Sequence, residues 1–284
     1  MPADWEELVT DWLIDLTGRG VSVEEAGAGA TVVGYCADPA QAERVLAEVQ
    51  RRWEEFCRES GGEGELLVAT ETISEEDWAS SWKAYFHPLR VGQRLVIKPT
   101  WEVWPPAGEP EAARTEDLII EMDPEMAFGT GTHETTQLCL ELIERHLQPG
   151  DTVADIGAGS GILSIAAARL GSGAVRGWEV DPVAAEVARR NFGRNGVAER
   201  CAVETGDALE TLGGRYDLIV ANVHTPFLLR LIPRLRDYLR PGGRAILSGT
   251  SETSRTAVGG ALRGAGLEVV EEAQKGEWAA MVAR

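Results

Sequence analysis

One stretch of the chain concentrates groups able to handle a small ligand. Asp155-Ile156-Gly157-Ala158-Gly159-Ser160-Gly161 joins a short apolar run, Thr152–Ile156, directly to a helical stretch, Ile162–Leu170. Glycines let a backbone turn sharply and come close to a ligand, where a side chain would intervene. Such a turn can hold a dinucleotide pyrophosphate, but that fingerprint is GxGxxG. Here the pattern is GxGxG, with an acid two residues before the first glycine. A carboxylate at Asp155 suits a ligand carrying an amine, not a diphosphate. The next apolar run ends at Glu179, 22 residues after Gly157. A carboxylate there can accept both hydroxyls of a ribose in charge-assisted hydrogen bonds. Asp181 competes for that role, although Asp181-Pro182 has the form of a helix start. Asp207, after the third run, is placed either to meet an adenine edge or to sit in solvent.

Two further positions complete the set. Asn222 ends a fourth run in Val220-Ala221-Asn222-Val223-His224-Thr225. Its carbonyl can accept a hydrogen bond from an amine and aim the lone pair; a helix N-cap is the plainer reading. Upstream lies Phe128-Gly129-Thr130-Gly131-Thr132-His133-Glu134-Thr135-Thr136, a polar segment read as a mobile loop before a helix, Gln137–His146. Such a loop can close over a bound ligand and exclude water. His133 is either a proton acceptor or a structural hydrogen-bonder, and His224 is a second possible acceptor.

These residues need a scaffold that brings strand ends together. From residue 150 the sequence alternates short apolar runs (152–156, 175–180, 202–205, 218–222, 244–248) with helical stretches (162–170, 183–195, 226–239, 255–264). That alternation implies a largely parallel sheet covered on both faces, with ligands bound outside the carboxyl ends of its strands. Residues 1–73 read as a small α+β unit. It comprises a helix carrying Trp5, Leu8, Trp12 and Leu16, two short strands (21–23 and 31–36), a helix opened by Asp38-Pro39, and a strand over 66–73. Residues 74–121 read as a linker and bridging segment, with Trp78, Trp82 and Phe86 four apart on a short helix and a strand at 95–98. Residues 122–284 form the larger unit.

Composition narrows the function class. The chain has 284 residues, 27 basic against 46 acidic, and a formal charge of −19. With 44% hydrophobic and 26% charged residues it is an ordinary globular chain. It has no run of 18 apolar residues and no basic leader, so the expectation is a cytoplasmic protein without a membrane partner. Residues 1–120 hold 24 acids against 10 bases, the remainder 22 against 17. A field of that sign repels nucleic acid and speeds encounter with basic partners. Cys36, Cys57, Cys139 and Cys201 lack CxxC spacing, so they read as small buried hydrophobes and no metal site is expected.

The motifs together resemble the PrmA-type methyltransferases that modify ribosomal protein L-eleven, a class I S-adenosylmethionine-dependent family. The resemblance rests on Met126–Thr136 (MAFGTGTHETT), Asp155–Leu163 (DIGAGSGIL), Trp178–Pro182 (WEVDP) and Ala221-Asn222-Val223, with Asp77-Trp78, Trp82-Lys83 and Pro88-Leu89 upstream. It implies a seven-stranded, mostly parallel Rossmann-like domain preceded by a small ferredoxin-like α+β domain that recognises the substrate. It implies S-adenosylmethionine contacts at Thr136, Gly157, Glu179 and Asn222, which join Asp155, Gly159, Gly161 and Asp207 as candidate cofactor residues. Asn222 and His133 stand as the catalytic candidates. The implied substrate is free ribosomal protein L-eleven, methylated at lysine side chains and the α-amino group by a monomeric enzyme that needs no nucleic acid. The chain departs from the family pattern at Glu179 for the usual Asp, Ala158 for Cys, Glu134 for Pro, and Val223-His224-Thr225 for a more apolar run. Rival readings are a relative acting on another basic protein or small amine, a cofactor-binding module without turnover, and a dinucleotide oxidoreductase, which the missing GxGxxG disfavours.

Overall fold

The computed structural model describes the chain apart from residues 1–8, 11, 14, 18–20, 27–28, 37, 61–65, 71–85, 124–128 and 130. The chain divides into two compact units, Met1–Lys83 and Ala84–Arg284. In the first, helical residues within 9–17 precede an antiparallel hairpin of β1 (Val21–Ala26) and β2 (Gly29–Gly34), with Val23 opposite Val32. Helix α1 (Pro39–Ser60) follows, opened by Asp38, whose carboxylate accepts the Gln41 N–H at 2.7 Å. Its Val45, Val49 and Trp53 are buried at four-residue spacing, the apolar stripe that drives a surface helix onto its core. Residues 66–70, expected as a strand, join no ladder, and Leu67 is 84% exposed. The helix expected around Trp78 and Trp82 lies outside the described residues.

The second unit begins with structure that the sequence reading took for a bridge. Strands β3 (Leu89–Val91), β4 (Leu95–Lys98) and β5 (Leu118–Glu121) form a sheet of their own, β4 antiparallel to β3 and parallel to β5. Leu95, Ile97 and Ile120 enter the same core as the helix α2 (Glu134–His146). Arg90 fixes the intervening turn, donating to both Asp117 oxygens at 2.6 and 2.8 Å, and holds that carboxyl well below the usual range.

The main sheet has seven strands. Along the chain come β6 (Thr152–Ile156), α3 (Ile162–Arg169), β7 (Ala174–Glu179), α4 (Pro182–Arg194), β8 (Cys201–Thr205), α5 (Ala208–Thr211) and β9 (Tyr216–Asn222). Then follow α6 (Thr225–Leu231), α7 (Leu235–Tyr238), β10 (Leu239–Ser251), α8 (Glu252–Gly264), β11 (Val269–Lys275) and β12 (Trp278–Ala283). The spatial order is β11-β12-β10-β9-β6-β7-β8, parallel except for β12, which runs antiparallel to both neighbours. Central strands are buried on both faces and read as continuous apolar runs, whereas the edge strand β11 carries Glu271, Glu272 and Lys275, charges that discourage pairing with another chain. The helix expected over 226–239 is broken by a 3₁₀ turn, Ile232–Arg234, because Pro233 has no N–H to continue the ladder. Of the cysteines, Cys139 and Cys201 are buried and burial pushes both thiols up, Cys201 to about 12; Cys36 and Cys57 are half-exposed, a departure from the buried reading.

Candidate active site

Strand β6 lies between β7 and β9, so the chain order reverses at β6, and the crevice outside the carboxyl ends of β6 and β9 is where open α/β sheets take ligands. Asp155 stands on β6 opposite Val220 of β9. It is 1% exposed, and its Oδ2 accepts the Ser164 hydroxyl of α3 at 2.7 Å. Its Oδ1 is buried with no hydrogen-bond partner among the described residues. Loss of hydration outweighs the Ser164 donor and raises the carboxyl from 3.8 to about 6. An anion so placed lacks one donor, and an amine would supply it.

The turn after Asp155 is folded back on β7. Gly157 and Ala158 both donate their N–H to the Trp178 carbonyl, at 2.9 and 3.0 Å. Gly157 and Gly161 have φ of 73° and 81°, a region that side chains avoid. A Cβ on Gly157 would lie 2.5 Å from Val223 Cγ1, and one on Gly161 2.6 Å from Phe192 Cε1. At these two positions the fold itself already demands glycine. Gly159 serves differently: its N–H donates to Glu179 Oε2 at 2.8 Å, while Asp181 N–H donates to Oε1 at 3.1 Å. The Glu179 carboxylate is thus oriented through both oxygens, and each oxygen keeps a second lone pair for a diol. Asp181 caps α4, accepting the Val183 N–H at 2.8 Å, as its Pro182 neighbour suggested. Asp207 likewise caps α5 through Oδ1 at 2.8 Å from Leu209 N, with Oδ2 not used by that cap.

Asn222 is the last residue of β9, not a helix cap; the cap position of α6 belongs to His224. Its Nδ2 donates to the Thr136 hydroxyl at 3.4 Å, which brings together two positions 86 residues apart in sequence. Thr136 sits buried in the first turn of α2. His133 caps that helix: Nδ1 accepts the Thr135 N–H at 3.3 Å and lies 2.8 Å from Thr135 Oγ1. Its ring meets Trp278 edge-on at 5.1 Å. A lone pair engaged in a cap is not available to take a proton, so this geometry favours the structural reading of His133.

The described part of the segment expected to be mobile is fastened. Gly129 O accepts the Ser160 hydroxyl at 2.6 Å, and a Cβ on Gly131 would lie 2.6 Å from Ile97 Cδ1. Thr132 O accepts from Gln137 Nε2 at 2.7 Å. Asn191 of α4, fully buried, donates to Ser160 O at 3.0 Å and so supports the turn from behind. Sequence reasoning missed Ser160, Ser164 and Asn191; their one signal was polar side chains at buried helical or turn positions, which demand partners. Among the described residues, no three His, Cys, Asp or Glu side chains group as a metal site, and no helix is long and apolar enough to cross a membrane.

A family model described as "Ribosomal protein L11 methyltransferase (PrmA)" matches residues 3–284. The chain belongs to this family. A ribosomal protein L11 methyltransferase of Pelotomaculum thermopropionicum is 41% identical over 100% of this chain and 96% of its own length. One of Pelobacter propionicus is 38% identical over 100% and 95%. Among solved structures, a ribosomal protein L11 methylase of Lactobacillus delbrueckii subsp. bulgaricus is 33% identical, with a TM-score of 0.64 over 70% of this chain and 98% of that one. The class I methyltransferase architecture expected from the motifs is the one observed.

Proposed function

We propose that the chain transfers methyl groups from S-adenosylmethionine to amines of ribosomal protein L-eleven, at lysine side chains and the α-amino group. The observation that carries the reading is the pairing of Asn222 with Thr136 at the end of β9, beside the Asp155–Gly161 turn. The residues suit the cofactor: an orphaned buried carboxylate oxygen at Asp155 for an amine, an oriented carboxylate at Glu179 for ribose hydroxyls, and Asp207 Oδ2 for an adenine edge. When bound, S-adenosylmethionine supplies a methyl group on a positively charged sulfur. The chain's task is to present a neutral nitrogen in line with it. A lysine at its ordinary pKa of about 10.4 is some 3.4 units, or roughly 4–5 kcal/mol, from neutrality at pH 7. Desolvation beside a positive charge lowers that barrier, and the Asn222 carbonyl accepts from the amine and aims its lone pair. His133 being engaged at the α2 cap, the proton leaves to solvent.

The acidic balance of residues 1–120 supports a basic protein as partner, acting mainly on encounter rate. We assign substrate recognition to the first unit, and place the reaction in the cytoplasm on free L-eleven by a monomeric enzyme. Intact-mass spectrometry of free L-eleven incubated with the chain and S-adenosylmethionine tests the reading. Mass gains in methyl-sized steps are expected, and none with Asn222→Ala. No gain from the wild-type chain, with cofactor binding shown in parallel, would move the substrate to another protein or amine.

A further inference from the structure

Two residues beyond Asn222, past the carboxyl end of β9, stands a histidine. His224 is exposed and holds the N-cap position of α6, yet its side chain makes no capping hydrogen bond. Instead the ring stacks on Phe227 one turn on, with centroids 6.2 Å apart and planes 30° from parallel. The other histidines of the second unit differ: His133 caps α2, and His146 Nε2 lies 2.6 Å from Glu271, whereas exposed His87 lies far back in sequence near β3. Among the described residues the His224 imidazole has no hydrogen-bond or ion-pair partner.

The backbone beneath this pair is held from several sides. Val223 N–H donates to Ser248 O at 3.1 Å, and Thr225 donates its hydroxyl to Thr250 at 3.0 Å. Gly249, at φ 83°, lies so close that a Cβ there would be 2.3 Å from the Val223 carbonyl oxygen. Phe227 is half-buried against the core that includes Leu228, Leu231 and Leu247. An exposed imidazole fixed on a half-buried ring, two residues from Asn222, is a preformed aromatic face at the edge of the reacting centre. Aromatic faces attract ammonium groups and pack alkyl stems.

We propose that His224 and Phe227 form a platform that receives the alkylammonium side chain of the acceptor and selects it for Asn222; this rests on the methyltransferase reading above. The pair is specificity-determining, taking no part in bond making. The test has two arms on the full-length chain. In the first, steady-state methylation of L-eleven is compared for wild type, His224→Ala, Phe227→Ala and His224→Phe, with cofactor affinity measured alongside. Either alanine raises KM for L-eleven about two- to fivefold, the range of a surface cation–π contact, while cofactor affinity holds. His224→Phe restores KM to about the wild-type value, which a proton-accepting role would not allow. In the second arm, n-butylammonium is titrated into the chain saturated with S-adenosylhomocysteine while the ring proton resonances of His224 and Phe227 are followed. Saturable shifts in both rings, absent in Phe227→Ala, are expected. If wild type does not methylate L-eleven but the rings respond, the substrate reading fails and the platform stands. An unchanged KM in both alanine variants, a KM that His224→Phe fails to restore, or rings indifferent to the amine overturns the platform.

Discussion

Asp155→Asn isolates the cost of holding a carboxylate in the floor of the cofactor turn. The wild-type carboxyl rises from 3.8 to about 6 on folding because burial removes its hydration. A group whose folded pKa is raised contributes full stability below its unfolded pKa and loses it as pH rises through the folded value. The shift of roughly 2 units corresponds to about 3 kcal/mol, lost between pH 4 and pH 7. About 2 kcal/mol of that falls between pH 4.5 and pH 8, where both can be measured. Asparagine keeps the acceptor for Ser164 but does not titrate, so the variant lacks this pH dependence while every other acid contributes equally to both proteins. Its own fixed penalty, from a buried amide N–H, does not vary with pH. Thermal unfolding of the cofactor-free chain is the assay. From pH 4.5 to 8, wild type falls relative to Asp155→Asn by about 4–8 °C in Tm, taking 2–4 °C per kcal/mol for a unit of this size. Parallel Tm curves for the two proteins across that window would refute a carboxylate strained by burial. On the proposed site, the amine of S-adenosylhomocysteine supplies the missing donor to Oδ1, so adding it is expected to shrink the difference.

Further substitutions probe the turn and the Glu179 carboxylate that it orients. Gly157→Ala combines a left-handed φ with a Cβ 2.5 Å from Val223 Cγ1, and costs about 2–4 kcal/mol in denaturant unfolding. Adding Val223→Ala recovers the steric share, and a double variant no more stable than the single would show that the clash is not the cause. Ser160→Ala strands the buried Gly129 carbonyl and destabilises by about 1–3 kcal/mol, with faster amide exchange around residues 129–133 as the local signature. Glu179→Ala removes charge-assisted hydrogen bonds worth about 1.5–3 kcal/mol, so calorimetry shows cofactor affinity weakened roughly 10- to 150-fold.

The parallel part of the main sheet was legible because its strands are buried on both faces and stand out as uninterrupted apolar runs. Thr152–Ile156 was read to the residue, and Glu179 and Asn222 were placed at strand ends as observed. Of the three-stranded sheet at residues 89–121, Leu95–Lys98 is legible as a strand, whereas its partners of three and four residues carry almost no periodicity. The β11–β12 hairpin was readable from Lys275-Gly276-Glu277 between two strand-like runs but falls after the alternation that had guided the reading. His133 is legible as a structural hydrogen-bonder but not as the capping residue itself, because Ser, Thr, Asp and Asn fill that position far more often. The anchors Ser160 to Gly129 and Asn222 to Thr136 span 31 and 86 residues, and contacts of that separation leave no trace in local spacing.

In the proposed reaction, those long-range anchors change how water is to be excluded at the reacting nitrogen. A loop that closes on each turnover loses about 1–2 kcal/mol of backbone freedom per residue it orders, set against the roughly 4–5 kcal/mol needed to neutralise a lysine. Gly129 is pinned by Ser160, Gly131 is crowded by Ile97, and His133 is locked into the α2 cap against Trp278. At these positions the ordering cost is met once, during folding, and is not charged to the acceptor's binding. Just after Asn222 in the chain, Gly249 and the Thr225–Thr250 hydrogen bond do the same for the turn bearing His224. Asn222 is thus bonded to the pre-ordered start of α2 through Thr136 and continues directly into a pre-ordered turn. The binding free energy of a basic protein is then free to desolvate the amine and hold its lone pair in line, the two things that the transfer of a methyl group requires of the chain.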